Sequence, residues 1–205
     1  MLRQVTISVV VGTFLIGMYY VVAASYVPPE QQNVLASKLE QYRTGLSFDV
    51  LMSLDEAERT ALIHGMPSDT VRLLMQEARL HPSFLAETVD DIRQQTKSDA
   101  RFAKLAQLTA LKGYEASGTA ILVQSADKAF LRLENVNITP GIDQRVFLTK
   151  DGSASSGVDL GPLKATRGSH NYDATGVDTE MYNVVIVYSR SVDEYYAHAR
   201  FIKSD

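Results

Sequence analysis

The spacing of apolar residues changes character at Gly113 and stays changed to the end of the chain. Beyond it, Gly118-Thr119-Ala120-Ile121-Leu122-Val123, Ala129-Phe130-Leu131-Arg132-Leu133-Glu134-Asn135-Val136, Arg145-Val146-Phe147-Leu148-Thr149 and Tyr182-Asn183-Val184-Val185-Ile186-Val187-Tyr188 are short runs. Their β-branched and aromatic residues suit a pleated, half-buried surface. Ser125-Ala126-Asp127-Lys128, Thr139-Pro140-Gly141 and Lys150-Asp151-Gly152-Ser153 separate them with turn chemistry. Two more segments, near Val192 and at residues 196–202, can close the set. Short strands at close spacing, with no long helix between them, argue for an antiparallel sandwich or barrel. We expect an all-β antiparallel sandwich over residues 114–205.

Residues 26–113 have a different composition, rich in Glu, Gln, Arg, Ala and Leu, which favour helices. A first helix is expected over residues 30–42, ending before Gly45. Ser53-Leu54-Asp55-Glu56 has the hydroxyl and carboxylate spacing of a capping box and predicts a second helix running to Ile63. Gly65 and Pro67 end it, and Ser68 can cap a third that carries Val71, Leu74, Met75 and Ala78 on one face. After the break at His81-Pro82-Ser83, Leu85, Val89, Ile92, Phe102, Leu105, Leu108 and Leu111 stand near helical spacing and predict a longer helix, interrupted around residues 96–99. The region reads as a small helical bundle or stalk, or a docking surface for a partner, since short amphipathic helices need something to pack against.

At the other end, residues 5–24 run without a charged side chain from Val5 to Ala24, with Arg3 before them. A helix needs ~20 mostly apolar residues to cross a bilayer, so residues 1–25 read as a membrane anchor or a signal peptide. Val22-Ala23-Ala24 before Ser25 suits cleavage, whereas Tyr19 and Tyr20 suit an interfacial anchor. The single cation on the N-terminal side keeps that end cytoplasmic and sends the rest outward. The expected location is a single-pass membrane protein with its C-terminal domain outside, or a secreted one if the segment is cleaved. Membrane lipid is then one partner, through this helix.

Composition removes whole classes of chemistry. The 205 residues include no Cys, so there is no disulfide framework, no thiolate metal site and no thiol nucleophile. A formal net charge of -4 with no basic run argues against nucleic acid as a partner. His64 and His81 stand beside turns without the paired spacing of zinc ligands, and His170 and His198 could meet only through a fold contact. Asp143, Asp151, Asp159, Asp173 and Asp178 could offer oxygen ligands to calcium, but no EF-hand-like loop is present and they read as turn aspartates. There is no Gly-x-Ser-x-Gly elbow, and Asp55-Glu56, Asp90-Asp91 and Asp193-Glu194 are adjacent, hence on different faces. We expect no catalytic residues, no bound metal and no cofactor.

Gly118-Thr119-Ala120, Phe130-Leu131-Arg132-Leu133-Glu134-Asn135, the segment from Pro140 through Leu148, Tyr182-Asn183-Val184-Val185-Ile186 and, most specifically, the stretch from Asp159 to Tyr172 together resemble the DM13 domain family. The resemblance covers residues 114–203. It implies an extracytoplasmic β-sandwich, often membrane-tethered and found beside DOMON or cytochrome-type modules, with a proposed part in electron transfer. That proposal leans on a cysteine just after the Val-Val-Ile strand, and here the matching position is Tyr188. Thiol redox chemistry is therefore not carried over.

Within Asp159 to Tyr172, Lys164, Arg167 and His170 could cradle an anion, or Gly161-Pro162 and Gly168-Ser169 could simply turn the chain. Asp159, Lys164, Arg167, His170 and Tyr172 make up the candidate binding loop. The expectation is a tethered, non-catalytic binding or assembly module whose partner is another envelope protein. The alternative is an accessory electron-transfer domain acting with a cytochrome or other redox partner. Solute or glycan binding is a third possibility, resting on fold analogy alone.

Overall fold

The computed structural model describes residues 29–202 apart from Lys112, so the apolar run at residues 5–24 lies outside the described residues. Among those described, no helix is long and apolar enough to cross a membrane.

Four helices come first: α1 (Pro29–Glu40), α2 (Phe48–Ser53), α3 (Glu56–His64) and α4 (Ser68–Ala78). Their starts follow local chemistry. Ser47 caps α2 by accepting from Val50 N, and Asp55 caps α3 by accepting from Glu58 N. Ser53, expected to cap α3, instead donates to Val50 O at 2.7 Å, at the end of the preceding helix. Ser68 is the first residue of α4, which starts after Pro67 with no side-chain cap. Leu35, Leu39, Leu51, Ile63, Met66, Leu74 and Ala78 form the core of this bundle.

The remainder is a sandwich of two five-stranded sheets. Its strands are β1 (Phe84–Ala86), β2 (Ala100–Gln107), β3 (Thr109–Ala110), β4 (Ala116–Ser125), β5 (Lys128–Ile138), β6 (Gln144–Thr149), β7 (Val158–Pro162), β8 (Arg167–Asp173), β9 (Val184–Ser189) and β10 (Glu194–Arg200). The first sheet has the order β1-β8-β5-β4-β2 and the second β3-β10-β9-β6-β7. All pairings are antiparallel except β1 with β8. Leu122, Leu131, Leu133, Val146, Leu148, Val185, Val187 and Tyr196 fill the space between the sheets. Alternation along β9 sends Val185 and Val187 inward and Val184 and Ile186 to a second cluster with Phe147.

The long helix expected between Leu85 and Leu111 does not form. Only α5 (Val89–Thr96) is helical there, opened by a capping box between Thr88 and Asp91, and it lays Ile92 on the outer face of the first sheet beside Ile121, Val123 and Phe130. β1, β2 and β3 come from this same stretch, so the sandwich draws strands from residues expected to be helical. Val192 lies in the turn between β9 and β10, not on a strand.

The bundle and the sandwich are joined by a buried ion pair. Asp143, in a left-handed backbone conformation (φ 48°), accepts from Arg59 Nε at 2.8 Å and 2.9 Å, and from Nη2. Arg59 Nη1 donates to Met52 O and Leu54 O, at 2.9 Å and 2.6 Å. Ser191 donates to the same carboxylate and meets Thr60 Oγ1 at 2.8 Å. Ile142, fully buried, leaves the sandwich to enter the bundle core.

Candidate functional site

The seam between bundle and sandwich is open on one side. There a cleft of about 530 Å³ lies between α3 and α4 on one wall and Tyr114 with the β9-β10 turn on the other. Ile63, Met66, Val71 and Met75 give it an apolar floor, while Arg72, Arg79, Asp193 and Glu194 bring charge to the lining. Concave sites with mostly apolar walls and a few polar groups are the usual form of a binding pocket, and they favour such seams. The rings of Tyr114 and Tyr196 lie 4.3 Å apart between centroids, tilted by 36°, and the Arg79 guanidinium sits 5.7 Å from the Tyr114 ring. Tyr196 is enclosed: its hydroxyl reaches Met75 Sδ at 3.6 Å and its ring packs against Gly141, where no Cβ could fit. Burial and nearby Glu194 push the Tyr114 hydroxyl above its ordinary pKa.

The residues from Asp159 to Tyr172, expected to form a binding loop, lie mostly in strands β7 and β8 and do not converge on one free anion cradle. Asp159 accepts from Arg145 Nε at 2.8 Å and lies 3.1 Å from Arg190 Nη2, at the β6-β7 side of the second sheet. Lys164 Nζ is held by the Glu87 carboxylate at 2.8 Å and 3.0 Å and by Asn171 O at 2.7 Å, so its charge is already paired. Tyr172 is buried in the inter-sheet core, its hydroxyl accepting from Lys164 N at 3.0 Å, and burial raises its pKa strongly. His170 is buried beside it, ring edge to face at 6.4 Å. Its Nε2 lies 3.3 Å from Arg167 O, Nδ1 has no partner, and burial lowers its pKa. Arg167 points away to Asn137 Oδ1 at 3.1 Å. The structure thus brings Lys164, His170 and Tyr172 together as fold contacts and sends Asp159 and Arg167 elsewhere.

Residues 107–201 match the family described as DM13, Electron transfer DM13. The C-terminal domain is a DM13 domain. No curated protein and no solved structure matches the chain. The matched residues contain β3 through β10, while β1 and nearly all of β2 precede them and flank the first sheet.

At the position where the resemblance places the DM13 cysteine, Tyr188 stands on the outer face of the second sheet. Its hydroxyl donates to Asp193 at 2.8 Å, its ring lies 4.5 Å from Tyr195 and 6.1 Å from Phe147. Burial and the Asp193 carboxylate push its pKa up to about 12. Tyr195 accepts from Ala154 N at 3.1 Å, so the 3₁₀ turn Ala154–Ser156 is fastened over this aromatic cluster. The chain has no thiol, and what this DM13 domain offers at that point is a phenol paired with a carboxylate.

The remaining candidates have structural partners. Asp151, Asp173 and Asp178 each cap local turns through backbone N–H groups of Ser153, Thr175 and Glu180. His64 Nε2 sits 3.3 Å from Arg190 O, and His81 stacks on Phe48 at 5.1 Å. His198 belongs to the sheet opposite His170, paired with Ile186. Among the described residues there is no group of three or more His, Asp or Glu arranged to hold a metal ion. Sequence reasoning missed Arg59 and Arg145. The latter bridges Glu56 of α3 to Asp159 of β7, and an arginine mid-strand or mid-helix carries no local signal of such a distant partner.

Proposed function

We propose that this chain is a membrane-tethered, non-catalytic binding module of the cell envelope, in which the bundle and the DM13 domain together present the seam cleft to an envelope protein. The cleft carries the reading. There an apolar floor meets side chains of both charges, while Asp143, Asp159 and Lys164 are tied up in holding the fold together. The apolar run at residues 5–24 supports the tether. The test is purification of the full-length chain from its own membranes in mild detergent, with mass spectrometry of what accompanies it. A stoichiometric envelope protein should be recovered, and should be lost from Arg72→Glu, which inverts charge on the exposed rim without touching the core. Undiminished recovery with that variant would refute the cleft as the docking site. Protease added to intact cells should cut the chain beyond residue 25, and protection there would refute the outward-facing tether.

A second reading, an accessory electron-transfer domain, is favoured by the description of the DM13 family and by the Tyr188–Asp193 pair at the cysteine position. Recovery of a cytochrome, copper protein or quinone enzyme in the same experiment would put this reading first.

A further inference from the structure

A second concavity, of about 490 Å³, lies behind Tyr114, where the end of α4 meets the corner of β5 and β8. Its character is opposite to that of the seam cleft. Arg79 and Arg167 reach it from different elements, and Asn137, Thr139, Glu115 and Tyr114 contribute to its walls. Among the described residues Arg79 uses only Nη2, on Gly113 O at 3.4 Å, and Arg167 only Nε, on Asn137 Oδ1 at 3.1 Å. Among the described residues neither guanidinium has a carboxylate within ion-pair distance, nor has Glu115 a cation, whereas Lys164 and Arg145 are fully committed to carboxylates. The walls are fixed before anything binds. Thr139 and Glu115 exchange backbone and hydroxyl bonds at 2.7 to 3.2 Å, and Gln144 Nε2 holds Thr139 O at 2.9 Å.

We propose that this pocket binds a small polyhydroxylated monocarboxylate of the uronate kind. Two guanidinium forks with free terminal N–H groups match a carboxylate bidentately. Among the described lining residues Glu115 brings the local charge to a single positive, so one negative charge on the ligand neutralises the site and a second one placed near Glu115 meets its repulsion. Among the described residues the Glu115 carboxylate has no donor and the Asn137 amide nitrogen no acceptor, so Glu115 can accept from ligand hydroxyls and Asn137 can donate to them. The volume falls within the range of small-molecule sites, about 300 to 1,000 Å³. The pocket is separated from the seam cleft by Arg79 and Tyr114, so this assignment does not rest on the partner reading.

The experiment is calorimetric titration of the full-length chain in detergent micelles with D-glucuronate, D-glucose and inorganic phosphate. Saturable glucuronate binding is expected, with no response to glucose and a weaker one to phosphate. Arg79→Gln and Arg167→Gln should each weaken glucuronate about tenfold or more, as loss of a charge-assisted hydrogen bond does, while Arg101→Gln, exposed on β2 and outside both the pocket and the seam cleft, should not. Both arginines are exposed, and an unchanged far-ultraviolet spectrum and thermal midpoint verify that the variants fold. Absence of glucuronate binding, equal binding by the Arg79 and Arg167 variants, or phosphate binding as tight as glucuronate would each overturn the assignment.

Discussion

At the scale of single residues, His170 sets a measurable pH dependence. It is fully buried, one ring nitrogen has no partner, and desolvation dominates over the opposing pull of Arg167 O and Glu87. Its folded pKa therefore lies below the ordinary value of 6.5, while the unfolded chain takes up the proton at that value. The neutral ring is compatible with the fold above that pH, and stability is lost as pH falls below it, at up to about 1.4 kcal/mol per pH unit. Urea midpoints at pH 7 and pH 5 should show this loss in the native chain and a smaller one in His170→Gln. Hydrogen bonds hold the carboxyls of Asp69, Asp91, Asp151 and Asp173 below the ordinary aspartate range, so they leave that window clear. Equal losses in both proteins would remove His170 as the cause. A second residue-scale outcome concerns Gly168, at φ 107° on β8, where an added Cβ would run into Leu85 O of β1. Gly168→Ala should release β1 and destabilise the chain by about 1–3 kcal/mol, with amide exchange faster at residues 84–86 and unchanged in β9. Protection retained at those amides would show that β1 adapts.

At the scale of elements, β4, β5, β6, β9 and β10 were legible because β-branched runs and turn residues alternate there without conflict, whereas β7 and β8, short on β-branched residues and rich in Gly, Ser, Asn and Asp, read as a loop. β2 was not legible, for a specific reason. Its ladder with β4 carries a bulge between Phe102 and Lys104, which adds one residue and puts Phe102 and Leu105 opposite Val123 and Ile121, on the same face. Three-residue spacing on one face imitates a helix. Both side chains are largely exposed, at 57% and 65%, so even their hydrophobicity pointed the wrong way. The candidate site was partly legible. Lys164 and Arg167 stood out as cations in a turn-rich segment, but their partners Glu87 and Asn137 are 77 and 30 residues away. The same non-locality hides Arg59, 84 residues from Asp143. With side-chain exposures of only 11% and 6%, this pair cannot lose one member cheaply. Arg59→Met leaves a buried carboxylate with Ser191 as its remaining side-chain donor and should cost about 3–5 kcal/mol. Thermal unfolding should shift down strongly, and less so in the double variant Arg59→Met with Asp143→Asn, where no charge is stranded. A double variant as unstable as the single would show that packing of the Arg59 stem, and not the charge, holds the two parts together.

At the scale of the whole molecule, the question is whether bundle and sandwich are two folding units or one. The bundle's own core is small, and one of its fully buried members, Ile142, comes from the loop between β5 and β6, with Val192 from the β9-β10 turn packed against the same cluster. Small domains bury too little surface to be secure alone, so a bundle that borrows core residues from its neighbour should not melt independently. Helix content followed at 222 nm and tyrosine environment followed in the near ultraviolet should then change in one coincident transition. Ile142→Ala sharpens the test, because it removes buried methyl groups contributed by the sandwich to the helices, a loss of about 2–5 kcal/mol. If the two parts are one unit, both signals move down together in the variant. If helix content melts early while the tyrosine signal of the DM13 domain stays at its native midpoint, the bundle is a separate unit. The seam cleft between them would then open and close with the bundle's own equilibrium, and its affinity for any partner would be reduced by the fraction of molecules in which it is formed.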